Sequence, residues 1–326
     1  MLLLFFSCDG AHCVLQYCKI FLGGSAMQFL YLLEGIRFPL LDEVMLLITR
    51  FGEETAFLVA ALIVFWCVDK HRGYYILGVG FGGTILTQCL KLLCKVPRPW
   101  VLDPNFEPIP GSKEAAGGYS FPSGHSQSAV GTFGSLALTG RNKTLRWIFV
   151  AICLLVPFSR MYLGVHTPAD VLVGSACALV LMFALRFVNE GKYVRPMLLV
   201  MSGVAVLYLI FVQFVLKPEN LDPHNYESGL KNAYTLLGAI LGMLIVYFVD
   251  EKWFHFEVKA VWWAQILKVV GGLALVLLLK EGLRAPLSTL LGEYPGRAVR
   301  YFLMVLAAGI LWPQTFRWFA SLGKKA

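Results

Sequence analysis

The chain has 326 residues, 58% of them hydrophobic and only 15% charged, with a mean hydropathy of +0.68. Soluble domains carry about a quarter charged residues, and several apolar runs here reach the roughly 20 residues that cross a bilayer; together these exclude a soluble α-helical protein with a large core. The net charge of +8 is scattered through short loops between apolar runs, not gathered in a patch interleaved with aromatics, which excludes nucleic acid as the partner and suits membrane lipids and topology control.

In chain order, residues 1–27 read as an N-terminal extension. The run Leu2–Phe6 looks like part of a signal core, but no basic segment precedes it. Met27 opens more ordinary sequence and is a candidate natural start. Cys8, Cys13 and Cys18 crowd the segment together with His12, at a spacing that matches no standard metal-ligand pattern. Cys67, Cys89, Cys94, Cys153 and Cys177 lie in apolar runs, where cysteine behaves as a small hydrophobe. Gln28 to Arg50 is amphipathic and broken by Gly35 and Pro39, so it is expected to lie in the interface or to cross obliquely.

Apolar runs follow near 55–69, 74–95, 124–139, 146–163, 168–188, 196–216, 230–249, 261–280 and 299–318. Backbone in lipid must satisfy its own hydrogen bonds, so each run is read as a helix. The expected fold class is all-α, a polytopic membrane helical bundle. The loops Asp69–Gly73, Gly140–Arg146 and Arg186–Arg195 gather eight lysines and arginines, which places them in the cytoplasm by the positive-inside bias and the Pro- and Gly-rich 96–122 loop outside. Beyond residue 195 the bias fades, because Lys280, Arg284, Arg297 and Arg300 fall on the outer side. The chain divides into 1–27, a motif-bearing region 28–190, and a helical extension 191–326 without recognisable chemistry.

Three clusters carry the chemistry: Lys91 with Arg98-Pro99, then Pro122-Ser123-Gly124-His125, then Ser159-Arg160 with His166 and Asp170. On this topology all three sit at ends of apolar runs on one face of the membrane, where ionisable groups are costly and point to function. Thr167-Pro168 opens a helix and puts Asp170 in its first turn. Asp170 can then accept a hydrogen bond from the His166 ring, fixing its tautomer and raising the nucleophilicity of the other nitrogen. Taken alone, the pair reads equally well as a plain helix cap beside a polar interface residue. Ser123 can cap the helix that follows it, Gly124 lets backbone approach a ligand, and the helix start is a ready phosphate site. His125 on that first turn is placed to protonate a leaving oxygen. Lys91 and Arg98 fall on one face if the interval between them is mostly helical. Arg160 offers a planar fork for a tetrahedral oxyanion. Phosphoryl transfer needs what these groups jointly offer: positive charge on the equatorial oxygens, an in-line nucleophile and an acid.

The motifs KLLCKVPRP at 91–99, PSGH at 122–125 and SRMYLGVHTPAD at 159–170 resemble the three-part signature of the type 2 phosphatidic acid phosphatase superfamily, over roughly residues 55–190. The resemblance implies a phosphohistidine mechanism with His166 as nucleophile, Asp170 as its orienter and His125 as the acid. It implies Lys91, Arg98 and Arg160 as phosphate ligands, helped by Ser123 and the Gly124 amide. It implies no metal and no other cofactor, in keeping with the lack of a carboxylate-rich cage in the sequence. Region 28–190 becomes a membrane phosphatase catalytic core of about six helices, and 191–326 adds three to four transmembrane helices. In helix number alone the extension is similar to longer relatives, the glucose-6-phosphatases and sphingosine-1-phosphate phosphatases. The expected substrate is a lipid phosphate monoester or diphosphate, cleaved on the extracytoplasmic or lumenal side, with selectivity sought in the Trp100–Tyr119 loop. A lipid phosphotransferase and a sugar-phosphate phosphatase remain open at this stage. A transporter is disfavoured by the lack of paired halves, and a vanadium haloperoxidase by the bilayer spans.

Overall fold

The computed structural model describes residues 26–322 apart from Ala115 and Lys217. The reading of residues 1–27 as an extension, and of Cys8, Cys13 and Cys18 beside His12, lies outside the described residues except at Ala26 and Met27, which are helical. Among the described residues the regular structure is all helical.

The first helix, α1 (26–34), is followed by a turn and then α2 (Pro39–Thr49). The amphipathic stretch is thus two helices, because Gly35 ends the first and Pro39 opens the second. α3 (Glu54–Ile63) continues through a π-turn to Val68. α4 (Lys70–Cys94) is capped by Asp69, whose carboxylate accepts from the amides of His71 and Arg72. A short α5 (Pro99–Leu102) leads into the outer loop. α6 (Gly124–Thr139), α7 (Lys143–Tyr162) and α8 (Pro168–Ala184) complete the motif-bearing region. The extension holds α9 (Val194–Ile210), α10 (Pro223–Val249), α11 (Trp262–Gly282), α12 (Arg284–Leu291), α13 (Glu293–Leu306) and α14 (Phe316–Ser321).

Among the described residues six helices are long and apolar enough to cross a membrane, and a seventh span results if Pro39–Gly52 and Glu54–Val68, bent by 55°, count as one. α6 and α8 fall short of that length, at 16 and 17 residues. Both carry site residues in their first turn.

The extension shares a core with the rest of the chain. One apolar cluster runs from Phe57, Trp66 and Tyr75 through Leu198 to Ile240 and Phe316. Polar latches reinforce it. The Trp66 indole donates to Ala308 O at 2.9 Å, and the fully buried Lys268 ammonium donates to Trp66 O at 2.8 Å. Lys70 pairs with Asp250 at 2.6 Å at the end of α4 remote from Lys91. Buried polar groups in such a setting are tolerated because each finds a partner.

α10 starts seven residues before the apolar run near 230–249. Asp222 caps it by accepting from the Asn225 amide, and Pro223 takes the first helical position. Its first two turns, with His224, Asn225 and Glu227, are polar, so hydropathy passes over them. This polar start brings α10 to the site.

Candidate active site

α8 begins with a capping box. Thr167 Oγ1 accepts from the Asp170 amide at 3.4 Å, and Asp170 Oδ2 accepts from the Thr167 amide at 2.8 Å. This fixes Asp170 beside His166, with Nδ1 and Oδ2 3.4 Å apart and both side chains 2% exposed. The Asp170 carbonyl accepts from the Ser123 amide at 2.9 Å, so the start of α8 also holds the start of α6. The fit there is close: a Cβ on Gly174 would stand 2.4 Å from Ser123 O. Ser123 caps α6, its hydroxyl oxygen accepting from Ser126 N at 3.3 Å and from Ser126 Oγ at 2.9 Å. Its own proton remains available to donate. A Cβ on Gly124 would meet open space, so the first α6 amides are accessible to a small anion.

Lys91 and Arg98 converge by a route other than the one expected. α4 ends at Cys94, Lys95 is left-handed at φ 52°, and the chain reaches Arg98 extended. Chain reversal, not a shared helical face, brings the two cations together. A single segment then wraps both. Arg98 Nη2 donates to Gly117 O and Nε to Gly118 O, each at 2.9 Å. Lys91 Nζ donates to Tyr119 O at 2.6 Å and more weakly to Ser120 O at 3.4 Å. The Ser120 hydroxyl donates to Asp170 Oδ2 at 2.6 Å.

Arg98 Nη1 completes the centre. It donates to Val165 O at 2.8 Å and to His166 Nε2 at 2.9 Å. A guanidinium can only donate, so Nε2 must carry the lone pair. The His166 proton therefore sits on Nδ1, facing Asp170, and both neighbours select the same tautomer. Burial, then the charges of Arg98, Arg160 and Lys91 and the nearby His125, hold the His166 pKa well below the ordinary histidine value. The ring is neutral at physiological pH.

Arg160, 1% exposed, donates from Nη1 to Thr49 Oγ1 at 2.8 Å. Its Nε has no partner among the described residues. Such an orphan in a buried guanidinium leaves a donor for a ligand oxygen. His125 lies half-buried on the first turn of α6, in reach of the same field. Beside the site, the Trp100 ring lies 5.9 Å from Arg98 and 5.6 Å from Lys113. It lines a cavity of about 310 Å³ with Phe106, Ile109 and Glu114.

All three motif clusters come together at one site. Lys91, Arg98, His166 and Asp170 are linked directly or through Ser120, Ser123 and Gly124 are tied to Asp170 through the backbone, and Arg160 and His125 act on His166 through their charge or polarity. Three side chains at the centre escaped the sequence reading. Ser120 was legible only as a polar residue two positions before Pro122. Thr49 was a polar end to an apolar stretch. Asn225, whose amide oxygen accepts from Tyr119 N at 2.8 Å, lies well beyond the last motif in sequence and gave no signal.

A buried, neutral histidine among three cations offers the charge and the lone pair that a tetrahedral oxyanion requires. Comparison with known proteins gives the family. The PAP2 superfamily matches residues 72–192, and the transmembrane extension of PAP2 superfamily phosphatases matches 234–325. Undecaprenyl-diphosphatase BcrC of Bacillus subtilis (strain 168) is 30% identical over 158 residues, 48% of this chain and 78% of that protein. Phosphatidylglycerophosphatase B of the same organism is 31% identical over 169 residues, with the same coverage, 48% and 78%. A probable sphingosine-1-phosphate phosphatase of Dictyostelium discoideum is 29% identical over 247 residues, 68% of this chain and 56% of that one. A crystal structure of a transmembrane PAP2-type phosphatidylglycerolphosphate phosphatase from Bacillus subtilis is 28% identical and aligns at a TM-score of 0.46, covering 55% of this chain and 92% of that one. The chain belongs to the PAP2 superfamily and is a membrane phosphatase.

Proposed function

We propose that the protein hydrolyses a lipid phosphate monoester or diphosphate through a phosphohistidine intermediate at the extracytoplasmic membrane surface, without a metal. The reading is carried by the buried His166–Asp170 pair beneath the Arg98 guanidinium. An arriving phosphate oxygen replaces Nε2 as acceptor for Arg98 Nη1 and frees the lone pair. Nε2 then bonds to phosphorus as the bond to the leaving oxygen breaks. His125 gives that oxygen a proton; burial and the cations lower its pKa in the free site, and the negative charge of the bound phosphate offsets those cations so that the ring is protonated when substrate is present. Arg98, Arg160, Lys91, the Ser123 hydroxyl and the Gly124 amide hold the equatorial oxygens. Asp170 balances the charge that develops on the ring. In the second half, His125 takes a proton from water as the water oxygen displaces Nε2 and releases inorganic phosphate.

A lipid substrate is supported by the relatives, whose names cite undecaprenyl diphosphate, phosphatidylglycerophosphate and sphingosine-1-phosphate. These molecules share a terminal phosphate on an apolar anchor. The outer side is supported by the basic loops at the opposite end of the bundle. Residues 28–190 form the catalytic core in this reading and 191–326 the extension.

The test is phosphate release by purified protein in detergent with EDTA, across undecaprenyl diphosphate, phosphatidylglycerophosphate, phosphatidic acid, sphingosine-1-phosphate and glucose 6-phosphate. Release from one or more lipids, undiminished by EDTA, is expected. Release from the sugar phosphate alone, loss in EDTA, or phosphate passed to an alcohol acceptor in place of water would each replace this reading.

The pH dependence has a definite sign. His166 attacks when neutral, which is the form above its pKa, and that pKa is lowered. Competence therefore extends well below pH 6.5. The acid limb of kcat/KM should follow the second ionisation of the substrate phosphate, about 6, and move when substrates of different phosphate acidity are compared. A limb fixed near 6.5 for all substrates would contradict a depressed His166.

A further inference from the structure

The extension meets the motif-bearing site through the start of α10, at the segment that holds its cations. The 117–120 segment holds Arg98 through two carbonyls, Lys91 through Tyr119 O with a weaker contact to Ser120 O, and Asp170 through the Ser120 hydroxyl. Glycine at 117 and 118 lends this stretch little stiffness of its own. Its carbonyls must nevertheless stay in place, because moving one moves a cation. Val96 O anchors it at one end by accepting from the Ser120 amide at 2.8 Å. The other anchor comes from α10. Asn225 Oδ1 accepts from the Tyr119 amide at 2.8 Å. The Asn225 side chain is itself aligned, because its Nδ2 donates to Asp222 Oδ1 at 2.9 Å. Asp222 is in turn fixed as the α10 cap, its Oδ1 accepting from the Asn225 amide at 3.1 Å. The Tyr119 hydroxyl meets the Asp222 amide at 3.4 Å, closing the contact from the other side.

We infer that Asn225, oriented by Asp222, is a positioning residue for the phosphate-binding cations, and that the extension thereby sets how tightly the site holds a phosphoryl group. Asn225 does not touch the reacting atoms. It acts through the Tyr119 amide on the carbonyls that aim Lys91 and Arg98. The inference rests on the proposed phosphatase reading and assigns a function to a segment without chemistry of its own. It also accounts for the polar first turns of α10, which a plain membrane span does not need.

The test compares wild type, Asn225→Leu, and the exchange pair Asp222→Asn with Asn225→Asp. Leucine fills a similar volume and removes the acceptor. The exchange keeps an acceptor oxygen at 225, a capping oxygen at 222 and a donor–acceptor pair between them. Three quantities are read on full-length protein: binding of orthovanadate by calorimetry, the split between KM and kcat on a turned-over lipid phosphate, and the thermal midpoint. Asn225→Leu should weaken vanadate binding and lower kcat/KM by about tenfold or more, with the thermal midpoint little changed. The exchange pair should restore at least half of the loss on a logarithmic scale. Equal vanadate binding by wild type and Asn225→Leu overturns the inference alone. A folded leucine variant that the exchange pair does not rescue also overturns it. Wild type that neither binds vanadate nor releases phosphate overturns the inference together with the phosphatase reading beneath it.

Discussion

His166→Ala lowers phosphate release by about 10⁵-fold or more, because loss of a covalent nucleophile removes the whole two-step route. No neighbouring group can replace it. Asp170 already accepts from Ser120 and Thr167, and His125 stands at the start of α6, on the leaving-group side in the proposed mechanism. The substitution leaves the surroundings supported. Arg98 keeps its bonds to the carbonyls of Gly117, Gly118 and Val165, so the cations still gather and the variant should still bind orthovanadate. That separates loss of the nucleophile from loss of the pocket. With substrate labelled on the phosphate, wild type quenched in alkali should carry label on protein, since a phosphoramidate survives base, and His166→Ala should carry none. A variant that retains a hundredth of the wild-type rate, or that still takes up label, would remove His166 from the nucleophile's role.

The reactive half of this site is legible in sequence for local reasons. His166 and Asp170 lie one helical turn apart, across a Thr-Pro helix start whose capping preferences are strong, and the structure contains that capping box. Ser123 is legible in the same way, as the polar residue before a helix. What holds the cations is not local. The partners of Lys91 and Arg98 are backbone carbonyls of a glycine-rich loop, and any residue has a carbonyl. Which carbonyls are used depends on the left-handed turn at Lys95, a conformation that lysine does not advertise. Thr49 and Asn225 arrive from α2 and α10 by tertiary packing alone.

The fold divides along the same line. Hydropathy finds the long spans because lipid demands apolar side chains, whatever the packing inside. It marks α10 too short because the polar first turns face the site and not lipid. It leaves open whether the 28–50 stretch crosses or lies in the interface, although Gly35 and Pro39 mark the break between its two helices. It cannot report that the extension shares a core with the motif-bearing region, since the Trp66–Ala308 and Lys268–Trp66 bonds join residues some two hundred positions or more apart.

Asp170 offers a second large effect, and two substitutions there separate two roles. Three donors point at one oxygen: Ser120 Oγ at 2.6 Å, the Thr167 amide at 2.8 Å and His166 Nδ1 at 3.4 Å all face Oδ2. The Thr167 amide cannot reverse its polarity, so an asparagine at 170 must present its carbonyl oxygen there and turn its NH₂ away. The His166 tautomer then survives, and only the negative charge is lost. A hydrogen bond to a charged group contributes about 1.5–3 kcal/mol and a neutral one about 0.5–1.5, and the imidazolium that develops in the transition state also loses its counter-charge. Asp170→Asn should therefore lower kcat by about 10²-fold with little change in KM, because Asp170 touches the ring and not the phosphate. Asp170→Ala removes the acceptor altogether. The ring can then protonate on Nε2 and lose its nucleophilic lone pair, which places the loss near 10⁴-fold by analogy with other histidine–carboxylate pairs. Alanine also strips the α8 capping box and should cost about 0.5–2 kcal/mol of stability, visible as a lower thermal midpoint that asparagine does not share. The gap between the two variants is the measurement. Equal losses would mean that Asp170 acts by charge alone and does not choose the tautomer. Losses under tenfold in both would mean that Arg98, donating to Nε2 from the other side, sets the tautomer without help.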